Sequence, residues 1–378
     1  MASKSHFRKL TTALFGAAAL VAAASPAQAA LVFNFTFVAG TSAQAQAGFN
    51  AAAARWSNLF TDNVTLNMTV GQISLGAGIL AQAGSSDTSY SYSAFRAALA
   101  ADATSASDAT AVANLVAGPS FGMMINRTLD NPNGAGSATP YLDAAGANNQ
   151  TITLTNSNAK ALGLATVAGN AFGLCASACD AGIQFGTAFT WDYDPSNGIT
   201  AGAYDFVGIA THEIGHALGF ISGVDTLDYN SSGPFYTANE FTFVNSLDLF
   251  RYSTLSAGAA GGVIDFSADN RTKYFSIDRG VTNLGATFST GQTWGDGQQA
   301  SHWKDNLGLG VMDPTAGTGE LLSISANDRL AFDVIGWNLR TAAPAVPEPG
   351  TWMMMLAGFG LVGASVRRRR QSGVAALA

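Results

Sequence analysis

Histidine is nearly absent from this chain: its 378 residues contain only His6, His212, His216 and His302. Cysteine is rarer still, with Cys175 and Cys179 alone, and charged side chains make up 11% of the sequence. Two cysteines cannot staple a scaffold in several places, so the fold has to rest on an apolar core. In an oxidising compartment the pair is expected to close one disulfide around Ala176–Ala178 rather than bind metal. So short a loop organises local geometry and adds little to global stability.

Basic residues are short as well, and the two ends hold many of them. Lys4, Arg8 and Lys9 precede an apolar run from Leu10 to Ala24 and the small-residue cleavage site Ala27-Gln28-Ala29, so residues 1–29 read as a signal peptide. At the other end Val346-Pro347-Glu348-Pro349-Gly350 leads into an apolar run from Thr351 to Val366 and then Arg367 to Arg370. That run is short for a membrane span but tolerable with snorkelling arginines, so 350–370 is expected to be a transmembrane helix and 371–378 a cytoplasmic tail. Residues 341–349 form a Pro/Ala linker. Between the ends remain 11 basic and 24 acidic side chains, a net charge near −13, which excludes a nucleic-acid or anionic-membrane surface.

Against this scarcity, the stretch Asp205 to Phe220 concentrates chemistry. It contains His212-Glu213-Ile214-Gly215-His216 among apolar residues. Helical side chains four apart share a face, so the two imidazoles can hold one metal ion, and Glu213 flanks it where a base can take a proton from water. Asp205 stands at the helix start, where its charge favours the free N–H groups. Gly219 and Gly223 offer exits from the helix.

A catalytic zinc site normally takes three protein ligands. His302 is the only other histidine beyond the presumed leader, in Ser301-His302-Trp303; Asp225 and Asp228 are acidic alternatives closer in sequence. The turn Asp192-Tyr193-Asp194-Pro195-Ser196-Asn197-Gly198 carries oxygen side chains at alternate positions, as a calcium loop does, but it misses that loop's full pattern and its closing glutamate, so it reads as a solvated turn rather than a calcium site.

Coarse periodicity sets an α+β order. A strand over 31–38 is followed by a helix over 44–60, with Phe49, Ala53, Trp56 and Phe60 on one stripe, then strands over 64–70 and 73–80. Helices follow near 93–101 and 106–116, a loop over 131–146, and strand patterns at 151–155, 183–193, 263–266 and 273–277. The segment 241–250 is apolar and of uncertain type, and 324–337 reads as a closing amphipathic helix capped by Ser325 or Asn327.

His-Glu-x-x-His-x-x-Gly, a distant Ser301-His302-Trp303 and then Met312 resemble the metzincin clan of zinc peptidases. Compact metzincins place the third ligand where this chain has Ser222, so the resemblance is to the leishmanolysin-like branch, with a long insertion before a delayed third histidine. It covers roughly residues 205–315. It implies a zincin-like module over 30–340 with a twisted mixed sheet, an active-site helix and insertions around 85–150 and 223–300. His212, His216 and His302 would hold Zn2+, Met312 would be the Met-turn residue beneath the metal, and Glu213 would be the general base for hydrolysing extracellular polypeptides. Many metzincins place a tyrosine just beyond that methionine; none stands between Met312 and Trp337 here. The order Pro-Glu-Pro, short apolar run, arginine cluster resembles the PEP-CTERM sorting signal, implying a membrane-embedded processing enzyme as partner and a cell-surface or extracellular destination. The competing functional class is a metal-stabilised surface or matrix protein without catalysis, which gives Glu213 no task.

Overall fold

The computed structural model describes residues 31–340 apart from 168, 174, 176–178, 232 and 234, together with 356–363. The expected signal peptide, the linker and the tail over 371–378 lie outside the described residues.

The chain opens with β1 (Val32–Phe37), α1 (Ala43–Leu59) and β2 (Thr65–Ile73). Ser42 caps α1 by accepting the Ala45 N–H, and the apolar stripe of α1 buries Phe49, Ala53 and Trp56. β2 pairs in parallel with β1 and, on its other side, with β4 (Ala181–Gly186). The last strand, β3 (Ala81–Ser85), runs antiparallel to β4, giving the mixed order β1-β2-β4-β3. A right-handed strand–helix–strand crossover is what two parallel neighbours linked by a helix require.

One strand moves relative to the sequence reading. The strand expected over 73–80 is a turn, because Ile79 donates back to Gly76 and Gly78 takes a φ of +80°. Pairing resumes only at Ala81, so the edge strand lies further along the chain.

Helix α2 (Phe206–Ala217) crosses the sheet against α1. Asp205 caps it, its carboxylate accepting the Gly208 N–H at 2.7 Å. The helices approach closely at Gly48, where a Cβ would stand 2.4 Å from the Phe206 ring, and Trp56 Nε1 donates to the Thr211 carbonyl at 3.0 Å. α2 ends at Gly219, whose φ of +115° is the left-handed exit that a side chain resists. Gly223 is a different case: its φ is −67°, and it is glycine because a Cβ would meet the Phe243 carbonyl at 1.9 Å.

The long stretch after α2 begins with α3 (Val224–Asn230) and packs into the same core, burying Leu247, Phe250, Phe275, Phe288 and Trp303 beside Phe220. Within it the apolar 241–250 segment is neither a full helix nor a strand; it ends in a 3-10 turn, Leu247–Phe250, that leads into a short ladder with Lys273–Phe275. A three-residue strand, Tyr141–Asp143, interrupts the expected 131–146 loop. α4 (Ala326–Val334) closes the body, and Ser325 and Asp328 form a capping box.

The expectation of a transmembrane helix is corrected. Among the described residues no helix is long and apolar enough to cross a membrane.

Candidate metal centre

α2 places His212 and His216 one turn apart on the face turned toward a cleft, and a loop from the far side of the core brings in His302. The Nε2 atoms converge: 3.0 Å between His212 and His216, 3.1 Å between His216 and His302, and 3.3 Å between His212 and His302. Each Nδ1 faces a main-chain carbonyl, that of Val311 at 2.7 Å, Phe220 at 2.8 Å and Gln299 at 3.2 Å for His212, His216 and His302 respectively. A carbonyl only accepts, so each Nδ1 carries the proton and each Nε2 presents a lone pair. The short Nε2 separations are therefore not hydrogen bonds but three lone pairs facing one point.

Such an arrangement is repulsive unless a cation lies between the nitrogens. Tetrahedral bonds of about 2.0–2.1 Å set ligand nitrogens about 3.3–3.4 Å apart, near the spacings here, so the residues fit a divalent metal of zinc type. Burial holds the imidazoles in the neutral, ligating form: it pushes His212 down to about 4 and His216 to about 3, and His302 well below the usual histidine value. Among the described residues this is the one group of three or more such side chains whose donor atoms lie within 4.8 Å of one another.

Glu213 lines the same cleft, buried to 6% exposure, and its carboxylate accepts no hydrogen bond from the described protein. By itself, burial pushes its carboxyl up to about 8; a divalent ion held by the neighbouring histidines would oppose that shift and favour the carboxylate. Met312 is fully buried against α2 at Gly215, where a Cβ would stand 2.5 Å from its Sδ. Gly215 is thus the small residue that lets this methionine approach the helix that carries the two histidines.

The acidic alternatives lie elsewhere. Asp225 gives its carboxylate to the N–H groups of Ala300 and Ser301, at 2.6 and 3.0 Å, and to the Ser301 hydroxyl. Asp228 accepts the N–H groups of Thr293 and Trp294 at 2.7 and 2.9 Å. Ser222, at the compact-motif position, donates its hydroxyl to Asp248 at 2.5 Å and its N–H to Ser301 Oγ at 2.9 Å. In the 192–198 turn Asp192 accepts from Asp194 and Thr200, and Asp194 accepts from Ser196, so the turn's carboxylates are engaged in closing it.

The cleft has a volume of about 820 Å³. One wall is the stretch from Gly78 to Ala83 at the sheet edge; the other carries Gln292, Gln299, Ser301 and Asp313, with Tyr204 and Phe189 also lining it. Sequence reasoning missed Tyr204, the edge strand's exact place and the three carbonyls behind the imidazoles; no spacing pattern marks any of them. Cys175 and Cys179 form a disulfide, as their proximity leads one to expect.

Comparison with known proteins identifies the other end of the chain. No curated protein and no solved structure matches it. Residues 345–370 match the family model of the PEP-CTERM protein-sorting motif. The chain is an exported protein whose C-terminal motif engages a sorting and processing system at the membrane on its way to the cell surface, and whose folded body carries a three-histidine cluster compatible with a metal.

Proposed function

We infer that the chain is a zinc-dependent endopeptidase acting on extracellular polypeptides, with a zincin-like catalytic body over 30–340 elaborated around 85–150 and 223–300. The observation that carries this reading is Glu213: a buried carboxylate without a protein partner, one residue from the first histidine and in the wall of the same cleft. A purely structural metal site gives such a group, open to the cleft, nothing to do.

His212, His216 and His302 would hold the zinc, oriented by the carbonyls of Val311, Phe220 and Gln299, with Met312 packed beneath. Zinc held there would supply Lewis-acid polarisation of a substrate carbonyl. Glu213 takes the proton of the attacking water on its carboxylate and returns it to the departing amine nitrogen. β3 stands at the end of its sheet beside the cleft, so an extended polypeptide can add to that edge through main-chain hydrogen bonds. The Tyr204 hydroxyl has no hydrogen-bond partner among the described residues and supports the developing oxyanion, the role for which no tyrosine follows Met312.

The test is metal content and casein or gelatin turnover of full-length exported protein against Glu213→Gln. Equal zinc and a fall in turnover of roughly 10²–10⁴-fold are expected. Turnover unchanged at equal zinc ends the mechanism; bound zinc with no turnover by either protein leaves a metal-stabilised surface protein.

A further inference from the structure

The cleft does not stop at the imidazoles. Gln292 and Gln299 line it and also line a second cavity of about 300 Å³, whose far side is formed by Thr226, Tyr229, Asn230 and Thr293. The two spaces share a wall, and the second is large enough for one long side chain.

Its walls are held in place before any ligand arrives. Asp228 on α3 clamps the loop through the N–H groups of Thr293 and Trp294, and Asp225 clamps it again at Ala300 and Ser301. Gly291 has a φ of +131°, and a Cβ there would stand 2.6 Å from the Asp228 carboxylate, so this close approach needs glycine. The loop is closed on itself by Asp296, which accepts the Thr290 N–H at 3.0 Å and pairs with Lys304 at 2.8 Å.

The groups left free to bind are uncharged. Both lining carboxylates are engaged by main-chain N–H groups, and the Arg127 guanidinium, stacked 3.7 Å from the Trp294 ring centre, lies where it offsets Asp228. What remains is the side chains of Thr226, Tyr229, Gln292, Thr293 and Gln299. Among the described residues none of these has a hydrogen-bond partner within the protein.

We propose that this second cavity is a substrate pocket for an uncharged hydrogen-bonding side chain (Asn, Gln, Ser or Thr) of the polypeptide lying in the metal cleft. The proposal rests on the peptidase reading and names part of its substrate class. Amides and hydroxyls pair with such a group at small desolvation cost; Glu would face the two lining carboxylates, and Lys would lose hydration where each carboxylate oxygen already accepts a main-chain N–H.

Two readouts test it. The wild-type full chain digests a random-sequence peptide library, and the residues at each distance from the cut bond are counted by mass spectrometry. In parallel, full-length Glu213→Gln binds a peptide with Gln at the selected position and its Lys and Glu versions, alone and combined with Thr226→Val/Thr293→Val or with Tyr229→Phe, the last at an 81% exposed position where packing is not at stake. The expected result is enrichment of uncharged polar residues at one fixed distance, about 10-fold weaker binding of the charged peptides, and loss of that discrimination in the double variant. Cuts without a fixed uncharged position, or discrimination unaltered in both variants, overturn the pocket and leave the peptidase reading standing. A library left uncut by the wild type overturns that reading and the pocket with it.

Discussion

Asp225 holds Ser301 at both its N–H and its hydroxyl, and Ser301 is the residue before the third histidine. The same segment is gripped from behind by the fully buried Arg251, which donates to the Ala300 carbonyl at 3.2 Å. An 86-residue separation between His216 and His302 is thus closed by a carboxylate nine residues after the second histidine. The residue that competes with His302 as a ligand in the sequence is, in the fold, the one that delivers it.

Removing that clamp frees the loop. Asp225→Ala is expected to weaken zinc binding about 10–100-fold, the usual cost of losing a group that orients a ligand, and His302→Ala to weaken it further. Competition with a chelating dye measures both. Asp225→Ala with wild-type zinc affinity would remove Asp225 from the site's support.

Met312 fills the space between α2 and the core. Met312→Leu conserves volume and is expected to cost under about 1.5 kcal/mol, while Met312→Ala opens a cavity costing about 2–5 kcal/mol. Denaturant unfolding of the metal-free protein gives both values. If Ala is as stable as Leu, the methionine is not a packing element.

Asp62 supplies a pH signature away from the metal. Its carboxyl accepts the Asn338 N–H at 3.0 Å, its other oxygen is buried without a partner, and burial, opposed by that bond, pushes it up to about 7. The folded state holds this proton more tightly than the unfolded chain does. Its stabilising contribution is therefore complete below the ordinary carboxylate range and is lost as pH rises toward 7. Asp62→Asn should raise the melting temperature at pH 8 by about 2 °C and have little effect at pH 4. A wild-type advantage at pH 8 would contradict the sign.

The ends predict a processed product. Intact mass of surface protein from the source cell should begin at Ala30 and lack Arg367–Arg370. A mass that includes Met1 or those arginines would argue against leader cleavage or C-terminal processing.

Much of the site was legible in local spacing. A helix repeats every 3.6 residues, so His212, Glu213 and His216 declare their shared face, and Asp205 and Gly219 mark its ends by capping and backbone freedom. Scarcity left His302 as the one imidazole beyond the helix and the leader, with Asp225 and Asp228 still open beside it; the resemblance to metzincins with a delayed third histidine is what favoured it. The pairing of Cys175 and Cys179 followed from proximity alone.

What the tertiary structure decided has no sequence period. Periodicity put a strand over 73–80, but only the pairing with Ala181–Gly186 located the edge at Ala81–Ser85. The orienting carbonyls of Val311, Phe220 and Gln299, the turn of Asp225 from rival ligand to clamp, and the joining of two cavities at Gln292 and Gln299 all depend on segments far apart in the chain meeting in one core. The sequence by itself determined which residue types could hold a metal and where a helix would carry two of them; packing alone determined which long-range neighbour each one faces, because that depends on the shape of the whole core rather than on any local repeat.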